Sequence, residues 1–122
     1  TRAHLVLFTL IDREGEPLES SEQLEEVRQR LERSIIRSVR RSDLYTRYGK
    51  NQFLVLVTST DQDGCKIAAD RVCRNFRAVN RRRKIDVYYA CRPALAVSGD
   101  SLKRNMGKNV KELEIAEGLE KN

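Results

Sequence analysis

The sequence predicts an α+β fold, with helices packed on a sheet that contains antiparallel strands, and three observations carry that reading. Residues 5–11 form a short apolar run; two β-rich runs, 44–48 and 53–57, flank a short Gly/Asn segment; and two further stretches repeat apolar residues at spacings of three and four. In chain order the elements read β-α-β-β-α-β-α, on a sheet of about four or five strands.

Leu5-Val6-Leu7-Phe8-Thr9-Leu10-Ile11 has no helical stripe and is bounded by Asp12-Arg13-Glu14-Gly15-Glu16-Pro17, which predicts a strand buried on both faces. Ser20 then offers an N-cap with Gln23 three residues on, the spacing of a capping box. Leu24, Val27, Leu31, Ile35 and Val39 follow, interleaved with Glu, Gln and Arg, and predict a long amphipathic helix over roughly 20–40. Leu44-Tyr45-Thr46-Arg47-Tyr48 and Phe53-Leu54-Val55-Leu56-Val57, joined by Gly49-Lys50-Asn51-Gln52, predict a β-hairpin at residues 45–57.

Asp61 to Gly64 is turn-like. Ile67, Ala68, Val72 and Phe76 then mark a second helix, with Arg71, Arg74 and Arg77 on another face. Arg81-Arg82-Arg83-Lys84 reads as a charged loop and Ile85 to Ala90 as a strand; Cys91 to Val97 extends that strand or pairs with it, and Pro93 argues for a break or an edge. The tyrosines at 45, 48, 88 and 89 fall in strands and are read as core or sheet-face residues. Ser101 caps a last helix through Leu102, Met106, Val110 and Leu113, weakened by Gly107.

The 122 residues suit a single domain, 1–122, and the absence of an initiator Met suggests a piece of a longer multidomain protein. With 39% hydrophobic residues, 6 Gly and 2 Pro, the composition excludes disordered and low-complexity classes. No apolar run approaches the roughly 20 residues of a membrane helix. Three cysteines, an odd count, fit a reducing, cytoplasmic setting. Cys65 and Cys73, about 12 Å apart along one helix, are too distant for a disulfide. A single His and no CxxC argue against structural zinc, and His4 has no Cys or Ser placed as a nucleophile partner.

The net charge of +6 permits nucleotides, nucleic acid or acidic lipid as partners, and a solvated basic surface accounts for it equally well. With no Trp and 6% aromatics, base-stacking platforms are poorly supplied.

The segment from Arg40 to Val57 carries more specific information. Arg40-x-x-Asp43, then Arg47-Tyr48-Gly49 before the turn and Phe53 after it, resembles the centre of the GGDEF domain, the diguanylate cyclase family, whose signature is R-x-x-D followed at a fixed interval by R-Y-G-G-D-E-F. The resemblance covers roughly 4–115 in order and spacing, and implies a nucleotidyl-cyclase-like sheet, the ferredoxin-like palm, with helices packed on it.

Family cyclases condense two GTP molecules on two metal ions held by acidic residues. Thr9 stands where the family has an Asp at the end of the first strand, and Asp12 lies a few residues late. Asn51 and Gln52 replace the signature's two acidic positions, and Lys50 replaces its second Gly; Gly49 and Phe53 are kept. Arg13 to Leu18 replaces the family's nucleotide-contacting stretch. The resemblance thus implies a degenerate domain with no catalytic residues, no metal and no cofactor.

Arg40 and Asp43 match the family's inhibitory site for cyclic di-GMP, and Arg71 falls near where the next helix often supplies another Arg. Arg-x-x-Asp at a helix end also reads as a cationic last turn followed by a turn residue. The expected function is a non-catalytic regulatory or interaction module of a bacterial signalling or transcription-regulating protein, acting by homodimerisation or docking on a neighbouring domain. The alternative is a sensor of cyclic di-GMP or another nucleotide at Arg40, Asp43 and Arg71; a remote one is an enzyme of altered nucleotide chemistry.

Overall fold

Side chains on a strand alternate between its two faces, so a strand apolar at every position must be covered on both. The first strand meets that condition in the structure, a computed structural model that describes residues 3–14, 18 and 22–94. β1 (Ala3–Asp12) is buried along most of its length, and is followed by α1 (Glu22–Ser38), β2 (Leu44–Gly49), β3 (Gln52–Thr58), α2 (Gln62–Val79) and β4 (Ile85–Ala94). The four strands form one antiparallel sheet in the order β2-β3-β1-β4.

Val6, Phe8 and Leu10 of β1 join Phe53, Val55 and Val57 of β3 in one core, closed by Leu24, Val27, Leu31 and Ile35 of α1 and by α2. Leu5, Leu7, Leu54, Leu56 and Ala90 form a second buried cluster from the alternate positions, on the opposite face. The stripe predicted for α1 is thus its core face, and Val39, just past the helix, packs half-buried against the same core.

α2 buries Val72 and Phe76 as expected, but not Ile67, and Ala68 is only half-buried. Its core residues are Cys65, Ala69, Val72, Cys73 and Phe76, and Ile67 is 57% exposed. Small side chains bring the helix close to the sheet and leave the larger Ile67 outside. Burial pushes the Cys73 thiol up to about 11. Asp61 caps α2 by accepting from the Gly64 amide at 2.7 Å. A Cβ on Gly64 would lie 2.1 Å from Thr60 Oγ1, so a larger residue there requires the Thr60 side chain to move.

β4 continues through Pro93 without a break. It is the outermost described strand beside β1, where a residue lacking an N–H is tolerated. Tyr48 and Tyr88 are exposed rather than core; Tyr45 and Tyr89 are half-buried and donate to Glu32 at 3.0 Å and Asp70 at 2.8 Å. Asp86 binds Arg13 of the β1 end and Arg77 of α2, each at 2.9 Å, and so ties three segments together. No helix among the described residues is long and apolar enough to cross a membrane. The predicted Ser20 cap, the run from Leu95 to Val97 and the last helix from Ser101 lie outside the described residues.

Candidate functional site

Strand register brings the signature positions to one end of the sheet. Thr9 near the end of β1 pairs with Gln52 at the start of β3, and Phe8 pairs with Phe53. Phe53 is fully buried in the core beneath the helices, while Gln52 and Thr9 share the opposite face. The β2–β3 ladder shifts register between Arg47 and Gly49, which leaves Lys50 and Asn51 as the turn. A Cβ on Gly49 would stand 3.1 Å from Gln52 Oε1, so glycine keeps the turn tight against that amide.

The amides at this end are engaged with the strand beside them. The Leu10 amide donates to Asn51 O at 2.8 Å, and Asn51 Nδ2 donates to Leu10 O at 2.9 Å. Asn51 therefore extends the β1 ladder by one residue, its side chain standing in for a backbone N–H. Gln52 Nε2 donates to Thr9 Oγ1 at 3.2 Å. Asp12 accepts the Glu14 amide at 2.7 Å in the turn after β1.

Behind the turn lies a cation that the sequence reading did not single out. Arg28 of α1 is only 7% exposed; its Nε donates to Lys50 O and its Nη1 to Glu25 Oε2 at 2.7 Å. The other oxygen of Glu25 accepts from Arg47 Nη2 at 2.8 Å, and Arg47 lies over the Phe53 ring at 5.8 Å. Arg47 first, then Arg28, hold the Glu25 carboxyl below its ordinary range. The signal for Arg28 was its place four after Leu24 and three before Leu31, on the apolar stripe itself.

Arg40 and Asp43 sit at the far end of β3, roughly 20 Å of strand away from the turn. The Asp43 side chain is 3% exposed, and both of its oxygens are in use: Oδ2 accepts the Arg40 amide at 2.8 Å and Oδ1 the Thr58 amide at 3.1 Å. The Arg40 side chain is 57% exposed, donates to Thr58 O and lies 3.8 Å from Asp43. Arg71 is exposed on α2 and bonds to neither of them among the described residues. It shares a helix face with Asn75, four residues on, whose amide donates to Ser38 Oγ at 2.9 Å, two residues before Arg40. The fold thus brings Arg71 to the side of α1 from which the Arg40 loop leaves.

The sequence profile of the family described as diguanylate cyclase, GGDEF domain, matches residues 18–110. Among solved structures, an EAL/GGDEF domain protein from M. capsulatus superposes with a TM-score of 0.60 at 15% identity, over 94% of this chain and 79% of that one. The diguanylate cyclase SiaD from Pseudomonas aeruginosa, solved with its activator SiaC, gives 0.59 at 14% identity over 94% of this chain; the chain spans about half of SiaD, 47%. The GGDEF domain of DgcB from Caulobacter crescentus, solved in complex with c-di-GMP, gives 0.59 at 12% identity, over 88% and 68%. No curated protein matches the chain. At these identities the structural likeness speaks for the fold.

Proposed function

The chain belongs to the GGDEF domain family, and from that premise we propose that it is a non-catalytic regulatory or interaction module, working within a longer signalling or transcription-regulating protein. One observation carries the reading: at the hairpin turn, the positions where cyclase chemistry needs carboxylates hold a hydroxyl and two amides bonded into the sheet, Gln52 to Thr9 and Asn51 to Leu10. Two Mg²⁺ ions need hard anionic oxygens to offset their charge and that of the phosphates. Thr9, Asn51 and Gln52 supply none, and the nitrogen of each amide already donates to a neighbouring oxygen. The donor set does not fit the metal pair.

The module would then act by the surface it presents to a neighbouring domain or a second copy. Incubating the purified chain with GTP and Mg²⁺, and looking for cyclic di-GMP by mass spectrometry, tests the reading. No product is expected. Product that disappears on Asn51→Ala would overturn it.

A second reading rests on the opposite end of the sheet. The exposed Arg40 guanidinium and Arg71, on the helix face next to the α1 terminus, are two cations that a cyclic di-GMP phosphate could bridge. Asp43 in this reading holds the Arg40 backbone rather than receiving guanine, because its oxygens already accept two backbone amides. Calorimetry with cyclic di-GMP decides it: Arg40→Ala should weaken binding about ten-fold or more. Equal affinity in the variant would remove the site, and no heat at millimolar ligand would leave the interaction module alone.

A further inference from the structure

The outer surface of the two helices carries a concave, basic feature that neither the hairpin nor the Arg40 loop uses. A cleft of about 350 Å³ opens between α1 and α2. Arg30, Arg33, Ser34 and Arg37 line it from α1 and Asn75, Ala78 and Val79 from α2; Ser34 is buried, and Ala78 and Val79 form an exposed apolar edge. Arg33 and Arg37 are four apart and lie one above the other on the same helix face, with Arg30 one turn earlier. No acidic residue among the described residues lines the cleft.

The charges around it are unevenly matched. Glu26 accepts from Arg30 Nη2 at 2.6 Å, which fixes that guanidinium in place, and its other oxygen lies 3.8 Å from Arg82. Arg30 Nη1 is buried and has no hydrogen-bond partner among the described residues. Arg33 and Arg37 likewise form no ion pair there, whereas Arg13, Arg28, Arg47 and Arg77 each face a carboxylate. A buried charged donor without an acceptor is costly, and a cleft of one sign of charge focuses its field on an incoming anion.

Guanidinium forks pair with tetrahedral oxyanions through parallel N–H···O bonds. Three of them offer more donors than one carboxylate can accept, but suit the three oxygens and nearly double charge of a phosphate monoester. The volume lies at the lower end of small-ligand sites, about 300–1,000 Å³, and the apolar edge of Ala78 and Val79 leaves room for a short organic body beside the phosphate. We propose that the α1–α2 cleft binds the phosphate group of a small phosphorylated metabolite, with Arg33 and Arg37 as the clamp and Arg30 as the buried third donor.

The test is an NMR titration of the whole chain, following the arginine Nε–H resonances, with ribose 5-phosphate, with inorganic phosphate and with sulfate. Saturable binding of ribose 5-phosphate is expected, tighter than that of inorganic phosphate because the sugar adds contacts with Asn75 and the cleft edge, with the Arg30 resonance among those that move. The Arg33→Gln/Arg37→Gln variant should lose about ten-fold or more in affinity; both positions are exposed, so the fold is retained. Arg40→Ala should bind as the parent chain does, which separates this cleft from the Arg40 site. Equal binding of sulfate and ribose 5-phosphate, an undiminished affinity in the double variant, or a loss in Arg40→Ala instead would each overturn the proposal.

Discussion

Asn51 takes both backbone groups of Leu10: its carbonyl accepts the Leu10 amide at 2.8 Å and its side-chain nitrogen donates to the Leu10 carbonyl at 2.9 Å. A turn residue thereby completes the end of the central strand. Asn51→Asp replaces the donor with a carboxylate facing that carbonyl, so the bond is lost and two oxygens repel. A destabilisation of about 1–3 kcal/mol is expected, seen as a lower urea midpoint with an unchanged slope. Asn51→Ala, which removes the donor without adding charge, should cost less. Equal stability of Asn51→Asp and the parent would show that the bond does not matter.

Asp43 gives a parallel expectation at the other end of β3. Its oxygens hold the Arg40 and Thr58 amides, which locks the loop after α1 to the end of the hairpin. Asp43→Ala leaves both amides without that acceptor and should cost about 1.5–3 kcal/mol, while Asp43→Asn, keeping one acceptor oxygen, should cost less. Thermal unfolding without ligand distinguishes this from a purely ligand-binding role, which would leave the melting temperature unchanged.

These two tethers also mark what was legible in the sequence. The strands were, because β1 is apolar at most positions on both of its faces and the hairpin runs flank a turn of Gly and Asn. So was α1, whose stripe has the spacing of one helix face. The core face of α2 was legible only at Val72 and Phe76, because Cys65, Ala69 and Cys73 are small and give a weak apolar signal beside Ile67, which is exposed. Pro93 could not be placed without knowing that, among the described strands, β4 lies beside β1 alone. The residue types at the turn were readable by position, but their partners were not. Asn51 to Leu10 and Gln52 to Thr9 span 41 and 43 residues, and only the β1–β3 register joins them. Arg28 was hidden because a charge on an apolar stripe reads as a neighbour of the core until its acceptor, Lys50 O, is in view.

Arg28 should therefore matter to the turn more than its place on α1 suggests. Arg28→Leu keeps the apolar contacts of the stem but removes the donor to Lys50 O. A charge-assisted bond of this kind is worth about 1.5–3 kcal/mol, and its loss should fall on the hairpin first. The Leu10 amide, which is bonded to Asn51 beside Lys50, should exchange with solvent faster in Arg28→Leu, while amides in the middle of α2 change less. Uniform acceleration across the chain would instead mean a global loss with no special role at the turn.

The acid stability of the fold should depend on Asp86. Burial pushes its carboxyl up, but the Arg77 guanidinium, the Val87 amide and the Arg13 guanidinium together outweigh burial and hold it below the ordinary value of 3.8. In the window between that value and the lower native one, the unfolded chain binds more protons than the folded chain, so stability there rises with pH. The contribution is complete above the ordinary value and is lost as pH falls through the native value, where Asp86 takes up its proton and releases Arg13 and Arg77. Both arginines are about half exposed, so salt screens part of the effect. Asp86→Asn should accordingly be less stable than the parent at neutral pH by a margin that holds down to about pH 4 and then narrows. Urea unfolding across that range, at low and high salt, measures the margin. A margin that stays constant through the acid limb would mean that Asp86 contributes by shape and hydrogen bonding alone, and not through its charge.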